Sequence, residues 1–477
     1  MTVHEIRQQD GPAPTSAVEW KRLAESLKGE VLLPGTDAYD AAARPARPLP
    51  HQQHPAAVVR AVDATDVATA IVFGRKHGIR TVPRSGGHCF AGRSSTDELL
   101  IDVTHLNQVE VSGRYVTVGA GARLGAVYDV LDSEGRTLPA GTWPTVGIGG
   151  HVLGGGLGFL GRTHGLASDH LIAAEIVLAD GQVVWCDERR DADLFWALRG
   201  AGGGQFGVVT TFVFETVPTP ATTTSYHLTW DYDQAAAVMA AWQRYAPDAP
   251  NEYDVNLRLI APADPDRAPE LHLFGTMLGA GDPEVLTDII SAVGSQPRWI
   301  LHEQSPYLTA VRRLSGLGSD HSPEATAVRF TKSEFFRRPL PDAVTNDLAE
   351  QLVTSRTPGC VRELNFSPWG GAYNGVPADA TAFAHRDDAF LLEHSVLVDD
   401  PTDQTARQWV NEAWQSTHPW GSGGVYPNFP DPDLTDWDSA YHGANLGRLR
   451  DIKRRYDPDN WFRFHQSVQP AESPVSR

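Results

Sequence analysis

The sequence predicts an α+β protein of linked domains, on three observations. Apolar strand-like runs alternate with an amphipathic helix early in the chain, and three glycine-rich clusters all fall before residue 218. Beyond PTPATTT (218–224) the composition shifts to fewer glycines and more tryptophan, as a linker and a second domain would give.

The elements follow in order. VVRAVDATDVATAIVFGRKHGI (58–79) sets a short apolar strand before a helix that starts near Ala64-Thr65-Asp66 and keeps Val67, Ile71 and Val72 on one face. A second strand, RTVPRS, delivers the chain into the first glycine cluster, PRSGGHCFAG (83–92). LLIDVTHLNQVEV and YVTVGAGA read as further strands and LGAVYDVLDSEG as a helix. The second cluster, TVGIGGHVLGGGLGFLG (145–161), holds eight glycines in seventeen residues. HLIAAEIVLADGQVVWC then reads as strand, turn and strand, with Asp180-Gly181 as the hairpin signal. The third cluster opens LRGAGGGQFGVVTTFVFETV, which ends near Val217. Past the linker, YHLTWDYDQAAAVMAAWQRYA and DVNLRLIAPAD belong to a second α+β domain over about 219–425. The stretch 441–468 reads as a helix stopped at Asp457-Pro458 and an apolar, strand-like end that returns to the first domain.

Composition excludes several function classes. The formal charge of −19 repels phosphate backbones and anionic lipid surfaces, so neither nucleic acid nor a membrane is an expected partner. Cys89, Cys186 and Cys360 are an odd count without metal-ligand spacing, which reads as reduced thiols, no metal site and a cytoplasmic protein. The N-terminal MTVHEIRQQDGPAPTSAVEW is polar and has no signal-like apolar run. Residues 1–17 and 471–477 have the makeup of frayed ends, and no repeat of fixed period is present. The RDIKRRYD run reads as a solvated helix face.

Glycine is required where backbone takes a positive φ or approaches a ligand closely, and successive N–H groups in such loops bind phosphates. Each cluster alone also reads as a set of tight turns; three together favour a nucleotide-like ligand. None sits in the first βαβ unit with a following acidic residue that a nicotinamide-binding fingerprint needs, so that class is demoted.

Taken together the motifs resemble the berberine bridge enzyme-like FAD-linked oxidases of the vanillyl-alcohol oxidase fold group. They are Arg84-Ser-Gly-Gly-His88, Thr145-Val-Gly-Ile-Gly-Gly-His151 with Gly154-Gly-Gly-Leu-Gly158, Leu198-Arg-Gly-Ala-Gly-Gly-Gly-Gln-Phe-Gly207, and Tyr456-Asp-Pro-Asp-Asn-Trp-Phe462 with Gln466-Ser467. The resemblance is dense over 50–217 and recurs in 364–386, 425–428 and 441–468. It implies a PCMH-type FAD-binding domain of two α+β subdomains over 18–217. It further implies a substrate domain with a helix-covered antiparallel sheet over 218–425, and a segment 426–470 that returns to the FAD-binding domain.

The resemblance also implies roles. His88 corresponds to the histidine that bonds the 8α carbon of the flavin, a reaction suited to a neutral imidazole on a glycine loop. Arg84, Ser85, Gly86, Gly87, Val146, Gly149, Gly150, Gly155, Gly158, Gly207, Val208 and Asn428 fall at cofactor-binding positions. His151 falls near the ribityl chain. Val146 matches the position governing oxygen access, where valine goes with oxygen-reactive members. Many members carry a second tether, a cysteine just ahead of Pro-Thr-Val-Gly; here Trp143 stands there, which implies FAD attached once, through His88, with Trp143 beside the ring.

For a base, Tyr426 in GGVYPNFPDPD resembles the Tyr-x-Asn element of sugar and aglycone oxidases, and a phenol needs an activating partner to remove a proton near neutral pH. Tyr373 is a second candidate; Glu363 and Asn365 share a strand face by period two. Several of the thirteen tryptophans suit stacking on sugar or aromatic rings, and equally a core. The expected function is an oxidase of an alcohol, hemiacetal or amine in a sugar or small natural product, with hydride transfer to flavin and O2 reduced to H2O2. A dehydrogenase with another acceptor, an oxidative cyclase and a non-catalytic flavin or metabolite binder are the alternatives. Substrate identity and oligomeric state are not set by the sequence.

Overall fold

The computed structural model describes residues 16–280, 284–318 and 327–472. The frayed ends expected at the termini lie outside these residues, except where they meet them. There Ser16 forms a capping box with Glu19 and starts the helix Ala17–Ser26, and the Ala471 N–H donates to the Arg450 carbonyl.

The strand–helix–strand reading holds. Asp63 caps the helix Ala64–His77 by accepting from the Asp66 N–H, and Gly78 ends it at φ 67°. Its buried face is Val67, Ala70, Ile71 and Gly74; Val72 is half exposed, because at 100° per residue it lies well off the Val67 direction. The flanking strands Ala57–Arg60 and Thr81–Arg84 both run parallel to Leu99–Asp102, and Glu30–Leu32 adds antiparallel at the edge. A second sheet is antiparallel, in the order Val109–Ser112, Tyr115–Gly119, Val208–Glu215, Leu171–Val177, Val183–Asp187. The Asp180-Gly181 turn joins its last pair, with Gly181 at φ 85°. One apolar core runs beneath both sheets.

The C-terminal segment does reach that core. Leu449 and Ile452 of the helix Leu446–Tyr456, then Phe462 and Val468, pack into it. The apolar end is not a strand, however. Its N–H groups are taken by side chains: Trp461 and Phe462 donate to the Asp457 carboxylate and Val468 to Gln205 Oε1. Lys453 Nζ, fully buried, ties the same region to the third glycine cluster by donating to Asp457 and to the carbonyls of Phe462 and Gln205.

Between these parts lies a seven-stranded antiparallel sheet, ordered Trp299–Ser305, Thr223–Thr229, Glu270–Leu278, Tyr253–Ala261, Cys360–Pro368, Phe390–Val398, Val328–Phe336. One face is apolar and covered by the helices Ala235–Tyr245, Glu284–Val293, Asp342–Val353 and Gln404–Thr417. Alternation sends the other side chains, Asp254, Asn256, Arg258, Arg329, Glu363, Asn365 and Glu393, into a cavity. Among the described residues no helix is long and apolar enough to cross a membrane.

Candidate active site

The cavity, of ≈ 420 Å³, is walled by all three glycine clusters on one side and by the polar face of the seven-stranded sheet on the other. The first two clusters touch through their backbones. A Cβ on Gly86 would lie 2.2 Å from the Gly147 nitrogen, and one on Gly147 2.2 Å from the Gly86 nitrogen, so a side chain at either would force the loops apart. Gly150 and Gly203 behave differently. Among the described residues a Cβ on Gly150 meets nothing within 4 Å and one on Gly203 nothing nearer than 3.8 Å, leaving a cradle of bare backbone on the cavity wall.

His88 stands in this wall with its Nε2 buried and, among the described residues, without a hydrogen-bond partner. Burial, then the charge of Arg47, pushes its imidazole down to about 4, so the ring is neutral at pH 7. Trp143 lines the same cavity, with the Arg47 guanidinium 5.0 Å from its ring centroid. His151 is also neutral, lowered to about 4 by burial. Its Nε2 accepts from the Gly141 N–H at 2.9 Å, which places the ring proton on Nδ1. Ser85, Gly87, Val146, Gly149, Gly158, Gly207, Val208 and Asn428 also line the cavity.

Two expected cofactor residues are placed elsewhere. The Arg84 guanidinium is consumed by the carbonyls of Ala42, Ala43 and Ser94 and the Ser95 hydroxyl, so it pins the loop rather than facing the cavity. Gly155 turns away from the lining toward Phe383, whose ring a Cβ on Gly155 would meet at 3.1 Å.

The two tyrosines differ in the same physical terms. Tyr426 Oη accepts from the Gly156 N–H at 3.0 Å, the Leu157 N–H at 3.2 Å and Asn428 Nδ2 at 3.2 Å. A neutral phenol oxygen offers two lone pairs, so three converging donors match a phenolate better than a phenol. Burial raises the pKa of Tyr426 and these three donors oppose that rise. Tyr373 Oη instead donates to the Gly158 carbonyl and accepts from the Gly158 N–H, and burial raises its pKa well above the ordinary value. Tyr373 lines the same cavity, and a Cβ on Gly161 would fall 1.7 Å from its oxygen, so the hydroxyl is closely packed against the Gly158–Gly161 backbone.

The sheet face contributes a charged network of which sequence reasoning found only Glu363 and Asn365. Arg258 and Arg329 both donate to Glu363, Arg329 also lies 3.5 Å from Glu393, and Glu393 accepts from Thr331 and Ser395 at 2.9 Å. Burial alone would raise the Glu363 carboxyl, but the two guanidiniums hold it well below the usual range. Asp254, which accepts from the Asn256 amide, is raised by burial to about 7. Period two could have placed Asp254, Asn256 and Arg258 on one face; their meeting with Arg329 and Glu393 needs the strand order.

An unpartnered, neutral histidine nitrogen and a bare-backbone cradle in one cavity fit a flavin dinucleotide. The sequence comparisons agree. The family described as FAD binding domain matches residues 55–187, and that described as Berberine and berberine like matches 425–469. The Uncharacterized FAD-linked oxidoreductase YvdP of Bacillus subtilis is 30% identical over 93% of this chain and 99% of its own. Among solved structures, Physcomitrella patens BBE-like 1 superposes with a TM-score of 0.86 at 26% identity, covering 95% of this chain and all of that one. Glucooligosaccharide oxidase from Acremonium strictum, described with a 6-S-cysteinyl, 8α-N1-histidyl FAD, gives 0.84 at 27% identity over 95% and 100%. The fold and cavity are those of an FAD-linked oxidoreductase. The chain belongs to the berberine bridge enzyme-like family.

Proposed function

We infer that this protein is an oxidase that carries FAD on a single covalent link to His88 and oxidises a hydroxyl group of a neutral sugar or hydroxylated natural product. The observation that carries the reading is the Tyr426 oxygen, set in the cavity wall under three N–H donors. In this reading residues 18–217 and 426–470 hold the flavin and 218–425 supply the substrate wall.

Bound there, the flavin supplies a two-electron hydride acceptor whose electrons pass to O2, giving H2O2. Tyr426 takes the substrate hydroxyl proton, and the Gly156, Leu157 and Asn428 donors stabilise the phenolate form that does so. Asn428 also donates to the His151 carbonyl at 2.9 Å, fixing the base against the second glycine cluster. Arg258 and Arg329 are matched by Glu363 and Glu393, so this network offers many hydrogen-bonding groups with little net charge, which supports an uncharged polyhydroxyl substrate over an amine. Trp143, which has no thiol, supports one link rather than two, and Val146 in the lining supports oxygen as acceptor.

The test is a screen of neutral mono- and oligosaccharides and natural-product alcohols against the flavin-loaded protein. The expected result is one H2O2 released per substrate oxidised. A flavin bleached by substrate but stable to air makes the protein a dehydrogenase, and no bleaching by any hydroxylated compound overturns the reading.

A further inference from the structure

We propose that Lys332 and Glu334 are positioning residues for Tyr426: from one strand of the seven-stranded sheet they clamp the two ends of the segment that carries the base. The inference rests on the Tyr426 reading above and goes beyond it to two residues outside every sequence motif and outside the cavity wall.

Lys332 and Glu334 stand two apart on the outer strand Val328–Phe336, so alternation sends both to the helix-covered face that also carries Val328 and Phe336. Both are buried, and buried charges on an apolar face are costly unless each is matched. The matches lie on a single segment. Glu334 holds its entry: the carboxylate accepts from His418 Nδ1 at 2.8 Å and from the Gly423 N–H at 3.1 Å, and a Cβ on Gly421 would run into it. The neighbouring backbone completes this hold, with the Phe335 N–H donating to the Gly424 carbonyl at 2.9 Å and the Ser422 N–H to the Phe335 carbonyl at 2.8 Å. Lys332 holds the exit by donating to the Asp431 carboxylate at 2.5 Å. Trp414 touches both holds, stacked on His418 at 4.3 Å with the Lys332 ammonium 5.1 Å from its ring centroid.

Between the two holds lie Tyr426 and Asn428. Residues 421–431 are neither helix nor strand, so no backbone ladder fixes Tyr426 against Gly156 and Leu157. Its oxygen reaches those N–H groups only while both ends of the segment stay in place. Hydrogen bonds are lost over small displacements, so freeing one end costs the Tyr426 contacts before it costs the fold.

The experiment uses the full chain, loaded with flavin, as wild type, Lys332→Met, Glu334→Ala, Glu334→Gln, His418→Ala and Tyr426→Phe. Arg362→Met is the control: Arg362 is buried on the same helix-covered face, but donates to the Thr354 and Ser355 carbonyls at the end of the helix Asp342–Val353. Hydrogen exchange of the peptide that contains Gly156 and Leu157 is read by mass spectrometry, with the urea midpoint beside it. Lys332→Met and Glu334→Ala are expected to speed that exchange at least about tenfold, as Tyr426→Phe does, and adding Tyr426→Phe to either should bring no further increase. Glu334→Gln keeps an acceptor for the Gly423 N–H and should stay within about threefold of wild type. Arg362→Met should lower the urea midpoint without moving the exchange. His418→Ala removes a half-exposed ring, so it decides the entry hold if Glu334→Ala does not fold; it too should speed the exchange. Wild-type exchange in Lys332→Met and His418→Ala overturns the proposal. Equal acceleration in Arg362→Met also overturns it, because that assigns the effect to general loosening. A Tyr426→Phe protein that turns over at the wild-type rate refutes the base by itself, and the exchange still decides the clamp.

Discussion

Replacing Tyr426 with phenylalanine deletes one oxygen and keeps the ring, which packs edge-on against Trp369, Phe383 and Phe429. Three donors then lose their acceptor: the Gly156 and Leu157 N–H groups and Asn428 Nδ2. An unsatisfied buried donor costs about 1–3 kcal/mol, and water entering from the cavity relieves part of that, so the sum expected is about 3 kcal/mol. Urea unfolding with an unchanged slope should show this as a lower midpoint. A positioned base is worth about 10²–10⁴ in rate, so kcat should fall at least about a hundredfold while flavin content and KM change little. Burial holds the phenol above its ordinary pKa, so wild-type kcat should rise with pH through the neutral range as more phenolate forms, and the variant should lose that rise. Tyr373→Phe is the contrast: among the described residues its hydroxyl bonds the Gly158 backbone, so stability is expected to fall and turnover to persist. A Tyr426→Phe enzyme that reduces its flavin at the wild-type rate refutes the base assignment.

Acid should unfold the protein early. Burial lowers His151 and His385 to about 4 and His394 and His442 to about 3, whereas the unfolded chain takes up their protons near 6.5. The stability these neutral rings contribute is complete above pH 6.5 and is lost as pH falls through the folded values. Four protons amount to about 5 kcal/mol per pH unit, so the urea midpoint should drop steeply from pH 6.5 toward 4, and a midpoint flat over that range contradicts the assignment. Lys453→Met leaves Asp457 buried without its cation and should cost about 3–5 kcal/mol and loosen flavin, with Asp457→Asn in the same chain restoring part of the loss.

The parts of this site legible in the sequence are those whose chemistry is local. Gly86, Gly147 and Gly150 announce themselves because only glycine tolerates such backbone approach or leaves such a bare wall. Asp63 and Gly78 announce the first long helix by its caps. Arg84 misled because a motif position fixes where a residue is, not where its guanidinium ends; two carbonyls at the end of the helix Asp37–Ala43 and two acceptors at Ser94 and Ser95 decide that. The end of the chain misled because its apolar residues are buried as a strand's would be, while Asp457 and Gln205 satisfy its backbone. Arg258, Arg329, Glu363 and Glu393 come from four strands, and only the pairing of those strands makes them one network. Arg47 carries no motif at all, since its place is set by a packing contact with Gly87.

The most direct test of the central claim is to denature the purified protein in acid and ask whether yellow, fluorescent flavin stays with the polypeptide, in wild type and in His88→Ala. Flavin retained by the wild type and released by the variant is the expected result. Flavin released by both contradicts the covalent link, and a wild-type protein that never carries flavin contradicts the cofactor as well.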